Sequence, residues 1–326
     1  MIEGLFNIAS NASHDKFRYD SRVGNTPAYT TMLSALYGLS KQAAQHTLDV
    51  CRDPGRWFWI VMDNVQNYHR RRSPRLGVQN EMNIGMAGTA YLAPESAEDP
   101  SVFDYEDKEQ RRAQCQRDQL TTGQLLKHVD FSHERKVFVA QWLWILGTWV
   151  PSLSYLRAHG NSMLRTEAQI QRVPDKPTEV FPLPTTSGRE TELPELLASI
   201  LDLLKSAGQT ARSYLKRMLA IGGDGLTFEL LLKLQQHRQF HSSPFDSLRI
   251  LNPVLQWWHT LWTNDARVLD RHLVSYSSLD PSTIGHSASK IGRKVAKDQG
   301  KYNYHQASEI LYFVTDAHAL DCWRYI

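Results

Sequence analysis

The stretch from Trp57 to Leu92, WFWIVMDNVQNYHRRRSPRLGVQNEMNIGMAGTAYL, constrains the fold more than any other part of the chain. Trp57 to Met62 is apolar at every position and rich in aromatic and β-branched residues, the pattern of a strand buried on both faces. Asp63 ends that run, and Asn64 suits a strand end or turn. A basic segment follows, His69-Arg70-Arg71-Arg72-Ser73-Pro74-Arg75, and then a second strand-like run from Asn83 to Leu92. A strand, an acid, a basic hairpin and a returning strand predict an acid-bearing site that meets nucleic acid.

With 326 residues and 41% hydrophobic content, the chain can bury a core in one large or two ordinary domains. Its 37 basic and 34 acidic residues nearly cancel, so any surface for nucleic acid must be local. Cys51, Cys115 and Cys322 lie far apart and form no C-x-x-C pair, which suggests neither a disulfide framework nor a zinc knuckle and favours a reducing compartment, nuclear or cytoplasmic. The N-terminus lacks the continuous apolar run of a secretory signal. Val137 to Val150 is the most apolar segment, but a membrane span needs about twenty residues, so it is expected to be a buried helix with no membrane partner.

Taken in order, residues 1–52 form an N-terminal helical segment. Within it, two helices joined at Tyr37-Gly38-Leu39-Ser40 are expected, more simply as packed core helices than as a DNA-reading pair. Residues 53–95 hold the two strands. Residues 96–190 are helical after an acidic, proline-bearing loop, and turn extended again from Pro174 to Pro184. Residues 191–273 return to mixed structure: an amphipathic helix over Glu195–Lys205, a weaker repeat of that pattern over Thr210–Ala220, and a short apolar run ending in Gly222-Gly223-Asp224-Gly225. A helix from Phe228, a strand near Leu248–Leu255 and a helix carrying Trp257, Trp258, His259 and Trp262 complete the segment. Residues 274–326 are a basic and helical tail with Lys290, Arg293 and Lys294. It stops at Trp323-Arg324-Tyr325-Ile326 with no polar taper, and a truncated gene product is expected.

Asp63 and Asp224 each follow an apolar run, and ligands of sheet proteins gather beyond strand ends. Brought together, two carboxylates repel one another, and a divalent cation neutralises them. Magnesium takes one or two carboxylates together with waters and phosphate oxygens, so these two aspartates suffice as its ligands. The plainer alternative is two separate turn residues, each accepting from backbone amides. Glu229, near a helix start, is a candidate third acid, although a carboxylate there also complements the helix dipole. His259 is a candidate base, although a histidine among tryptophans is more often structural. Arg70, Arg71, Arg72 and Arg75 suit phosphate contacts, and Lys290, Arg293 and Lys294 form a second basic cluster. The Gly-Gly-Asp-Gly turn fits neither a P-loop nor a dinucleotide fingerprint, so no small-molecule cofactor is expected.

Several blocks in order carry a resemblance: Asp63-Asn64-Val65-Gln66, Arg75-Leu76-Gly77, Asn80-Glu81-Met82, Pro151-Ser152-Leu153-Ser154, Gly222-Gly223-Asp224-Gly225 with Phe228-Glu229, Trp258-His259-Thr260-Leu261-Trp262-Thr263, Ile291-Gly292-Arg293-Lys294 and Leu320-Asp321-Cys322-Trp323. From about Pro27 onward the chain resembles a large family of basidiomycete fungal proteins known only as a domain of unknown function. The resemblance implies a transposon-associated origin and a ribonuclease-H-like core, in which the first acid ends the first strand and the second ends the fourth. Asp63 and Asp224 would fill those places, and the block 96–190 would be an insertion. The third acid of such a core belongs on a later helix, which this chain would lack.

The expected fold class is therefore α/β (α+β), mostly helical by count, with a ribonuclease-H-like mixed sheet and a large helical insertion. The expected function is a transposon-derived DNA-binding protein, a Mg²⁺-dependent nuclease or transposase-like phosphoryl transferase that is active or decayed. The alternative is a non-catalytic nucleic-acid or protein interaction domain.

Overall fold

The computed structural model describes residues 2–10, 12–69, 80–93, 103–170, 175–295, 297–298 and 301–324. The chain divides into two compact units, 1–106 with 177–254, and 107–176 with 255–326. Each is built from two separate stretches of sequence. Among the described residues no helix is long and apolar enough to cross a membrane.

The first unit opens with three helices, α1 (Ile2–Ala9), α2 (His14–Arg22) and α3 (Tyr29–Arg52). Two long strands follow, β1 (Phe58–His69) and β2 (Glu81–Leu92). After the excursion to the second unit, the chain returns as β3 (Val180–Pro182), α8 (Leu193–Ser206), β4 (Leu219–Gly223), α9 (Gly225–His237) and β5 (Leu251–Leu255). The five strands form one sheet in the order β3-β2-β1-β4-β5. β1 and β2 are antiparallel, β2 and β3 are antiparallel, and β1 and β4 are parallel.

The core follows from the period-two pattern of β1. Phe58, Ile60 and Met62 point to one face and are buried with Met86, Ala90 and Leu92 of β2, Ile221 of β4, Leu196, Ile200, Leu203 and Leu204 of α8, and Leu230, Leu231 and Leu234 of α9. A single buried carboxamide ties this core to α3: Gln209 Nε2 donates to the carbonyl of Cys51 at 3.1 Å, and its oxygen accepts from the Leu215 amide at 2.8 Å. The opposite face of β1 is only half covered. Trp59 stacks on Tyr91 at 5.7 Å and Trp57 on Phe103 at 4.2 Å, so an aromatic layer replaces the second packed core expected for this strand.

α4 (Tyr105–Ala113) begins in the first unit and runs into the second, which also contains α5 (Thr122–Lys127), α6 (Phe131–Trp149), α7 (Tyr155–Arg165), α10 (Trp257–His272), α11 (Ile284–Lys290), the small hairpin β6 (Lys297–Asp298) and β7 (Lys301–Tyr302), and α12 (Tyr304–Trp323). α5 starts with a reciprocal cap between Thr121 and Gln124. The core of this unit is Leu269, Ile284, Ala288, Val295, Tyr302, Ala307, Ile310 and Val314. Polar ties from α10 hold α12 and β7: Ser308 Oγ donates to Asp265 at 2.6 Å and Tyr302 Oη to Asp270 at 3.0 Å.

Four local expectations are corrected. Residues 29–52 form one continuous helix, not two, because an exposed glycine such as Gly38 costs only about 1 kcal/mol within a helix and the flanking Ala, Leu, Lys and Gln residues favour helix. The helix-turn-helix is therefore excluded. β1 does not stop at Asp63 but runs to His69, because β2 pairs with it throughout. The helix over 137–150 buries only Ala140, Ile145, Leu146 and Gly147, and Phe138, Val139 and Trp149 are exposed. Residues 210–220 are not a second amphipathic helix; a turn bridging Thr210 and Ser213 leads into β4.

Ile60 sits fully buried where β1 meets β2, β4 and α8. Ile60→Ala is expected to cost about 2–5 kcal/mol, the transfer energy plus that of the cavity. Urea unfolding of the full chain measures it, and a cost near that of a surface substitution, about 0.5 kcal/mol or less, would contradict the central position of this strand.

Candidate functional site

The turn from β4 into α9 is built from Gly222-Gly223-Asp224-Gly225. Asp224 is the N-cap residue of α9; its Oδ1 accepts from the Thr227 amide at 2.8 Å, which satisfies one of the free donors of the helix start. The turn is tight enough that a Cβ on Gly223 would come within 2.4 Å of Thr227 Cγ2. Thr227 is fully buried beneath this turn, and its hydroxyl donates to Glu190, which is only 4% exposed. Glu190 lies in the loop that carries the chain from β3 to α8.

Asp63 lies on the exposed part of β1, where Oδ1 accepts from the Asn64 amide at 2.8 Å. The parallel ladder pairs Ile60 with Ile221 and Val61 with Gly222. Continued by two residues, that register brings Asp63 opposite Asp224, and the alternation of side chains puts both on the same face of the sheet. By that register Asp63, partway along β1, stands level with Asp224 just past the end of β4, although each also accepts a backbone hydrogen bond as a plain turn residue does.

Glu190 joins them electrostatically. Burial pushes its carboxyl above the ordinary range; the Thr227 hydroxyl opposes that shift, and the negative charges of Asp224 and then Asp63 add to it. A carboxyl that feels both aspartates completes a three-acid neighbourhood. Among the described residues no three His, Cys, Asp or Glu side chains converge into a ready-made metal cage. The arrangement is that of two carboxylates with a third, buried acid behind them. Such a pair fits Mg²⁺, which keeps several of its own waters and needs only one or two protein carboxylates. Asp63 and Asp224 each commit one oxygen to a backbone amide, and among the described residues neither second oxygen has a hydrogen bond.

The remaining candidates lie elsewhere. Glu229 is on the exposed side of α9, held by Lys233 at 2.6 Å, and that hydrogen bond lowers its pKa. His259 is on α10 in the second unit, packed edge-on against Trp258 at 4.7 Å. The tryptophans around it do not form a closed nest, since Trp257 and Trp258 are exposed. Lys290 closes α11. Arg293 pairs with Glu309 at 3.3 Å and Lys294 lies 5.9 Å from the centre of the Tyr276 ring, so both are engaged within their own unit. Arg70, Arg71, Arg72 and Arg75 lie outside the described residues. Sequence reasoning missed Glu190 and Thr227, because an acid in a polar loop carries no signal that the loop will bury it.

A carboxyl pushed up in the folded state holds its proton more tightly there than in the unfolded chain. Stability therefore falls as pH rises from the ordinary value of 4.5 towards the raised one, and the loss is complete above it. Glu190→Gln removes the ionisation and keeps an oxygen for the Thr227 hydroxyl. It is expected to melt higher than the parent by roughly a few degrees at pH 7, with the two curves converging below pH 4.5. Thermal melts across that range measure it; an unchanged or lower melting temperature at neutral pH contradicts the burial of an ionisable Glu190.

No curated protein and no solved structure matches the chain. A family model matches residues 116–326, a region that includes Glu190, Asp224 and Thr227 but begins after β2 and leaves Asp63 outside. With most of its length matched, the chain belongs to the family of unknown function DUF6589.

Proposed function

We propose that the first unit is a ribonuclease-H-like core of a transposon-derived protein, and that Asp63 and Asp224 hold Mg²⁺ for cleavage or strand transfer of a DNA phosphodiester. The observation that carries this reading is the parallel pairing of β1 with β4 in a sheet of order β3-β2-β1-β4-β5, whose register, continued past the end of β4, puts Asp63 level with Asp224. The antiparallel β1-β2-β3 meander followed by α8, β4, α9 and β5 supports the same core, with residues 107–176 inserted between β2 and β3.

Magnesium supplies charge neutralisation at the transferring phosphoryl group and lowers the pKa of an attacking water. The protein's part is positioning. β1 carries the carboxylate of Asp63, and the turn that ends β4 carries that of Asp224 at the N-terminus of α9, where the helix dipole favours negative charge. Glu190 stays protonated further up the pH scale than an ordinary glutamate, which limits the negative charge at a place a phosphate must approach. Thr227 ties Glu190 to the same turn as Asp224, so the spacing of the acids is set by buried packing.

A non-catalytic DNA-binding role is the second reading. The absence of a three-ligand cage among the described residues favours it, since two-metal phosphoryl transfer normally uses a third or fourth acid.

Calorimetric titration of Mg²⁺ or Mn²⁺ into the full chain, with nicking of supercoiled plasmid beside it, separates the two. Asp63→Asn and Asp224→Asn are each expected to abolish the binding heat and to lower nicking by about a hundredfold or more, the scale of losing a metal-held charge in a transition state. Nicking that survives either change unaltered overturns the metal role. Duplex binding with neither metal heat nor nicking in the parent establishes the non-catalytic reading.

A further inference from the structure

β1 and β2 stay paired beyond the point where the rest of the sheet leaves them. The ladder from β4 meets β1 at Ile60 and Val61, and on the other side the bridge from Met86 to Thr186 ends the contact with β2. Past these, the two strands continue as a two-stranded ladder, with the Thr186 carbonyl still beside Gly85, through Val65↔Gly85, Gln66↔Ile84, Asn67↔Asn83, Tyr68↔Met82 and His69↔Glu81. Five pairs at about 3.4 Å each make an arm roughly 17 Å long that begins next to Asp63. Its described side chains, Asn64 to Tyr68 and Glu81 to Ile84, are all exposed.

Folding does not account for the composition of this arm. An isolated two-stranded ribbon is marginal in water, and asparagine is depleted in strands. Yet the arm carries Asn64, Gln66, Asn67 and Asn83. Their carboxamides present a donor and an acceptor together, the complement of the N6 and N7 edge of adenine, and a two-stranded ribbon fits the major groove of B-DNA, about 12 Å wide. Charge agrees with that partner. The segment 70–79 that joins the strands has Arg70, Arg71, Arg72 and Arg75 and no acid in its sequence, and Glu81 is the single described acid of the arm.

The pleat selects a face. Asp63, Val65 and Asn67 of β1 share one side with Asn83 and Gly85 of β2, and Asn67 and Asn83 are direct cross-strand partners there. Asn64 and Gln66 point to the other side. We infer that the arm enters the major groove of duplex DNA with the Asn67–Asn83 face against the base edges, and so holds the duplex beside Asp63. The inference rests on the DNA reading of the site at the base of the arm.

The test is fluorescence anisotropy of the full chain in EDTA with a mixed-sequence duplex of about two helical turns, roughly 21 base pairs. The expected result is that Asn67→Ala with Asn83→Ala weakens binding by about tenfold or more, the scale of a lost bidentate base contact. Asn64→Ala with Gln66→Ala on the opposite face serves as the control and is expected to stay near parental affinity. Circular dichroism and the Mg²⁺ titration are expected to be unchanged in both variants. The inference is overturned if the parent binds no duplex, if the Asn67/Asn83 pair leaves affinity unaltered, or if both faces lose equally. It is also overturned if the Asn67/Asn83 variant splits a dimer of the chain without changing duplex affinity, which makes the arm a protein interface. Loss of duplex binding in that variant, beside metal binding and nicking untouched by Asp63→Asn, sustains the arm and refutes the cleavage site alone.

Discussion

The parallel pairing of β1 with β4 is the contact on which the rest of the first unit depends. Parallel neighbours cannot be joined by a tight turn, so the chain between them must cross over, and here the crossover carries β2, the inserted block, β3 and α8. What holds the pair is burial. Ile60 and Ile221 are opposite one another, both almost wholly removed from water, with α8 and α9 covering them. Once that register is set by apolar residues, the polar consequence is not free to vary. A slip by one residue would send Asp63 to the other face, and with it Phe58, Ile60 and Met62 out of the core.

The same register accounts for how the sheet tolerates three acids in one neighbourhood. Asp224 is placed where a helix start favours negative charge. Asp63 is on the exposed side of its strand, where water screens it. Glu190, the acid without access to water, is the one whose carboxyl is pushed towards the neutral form. The cost of gathering like charges is thus divided among a dipole, solvent and a proton, and a bound cation would remove what is left. Gly223 belongs to this arrangement for a steric reason, since any side chain there would displace Thr227 and with it the support of Glu190.

The two strands and most helices of the second unit were legible because each rests on a local pattern: apolar runs, a polar residue at their ends, and helical spacing of leucines. The misreadings have separate causes. β1 runs past Asp63 through residues of poor strand propensity because β2 pairs with every one of them, a tertiary effect that overrides local preference. α3 runs through Gly38 and Ser40 because no competing contact rewards a break. Glu190 was invisible because its burial is decided by Thr227 and the β4–α9 turn, which lie far away in sequence. That Asp63 and Asp224 each follow an apolar run could be read locally, but not the register of β1 on β4, which decides where the two residues stand along the sheet.

The extent of the family match has a physical implication of its own. It takes in β3, α8, β4, α9 and β5 but neither β1 nor β2. In the sheet order, that leaves β4 and β5 on one side and the three-residue β3 on the other, with the two central strands gone. Neither remainder could bury α8, whose Leu203 packs into the same cluster as Ile60 and Met86. Two short strands and a lone third do not make a stable sheet. The part of the first unit that lies in the matched region therefore lacks the two strands on which its core is built, whereas the core of the second unit lies wholly within the match. Of those two strands, β1 is the one that brings Asp63.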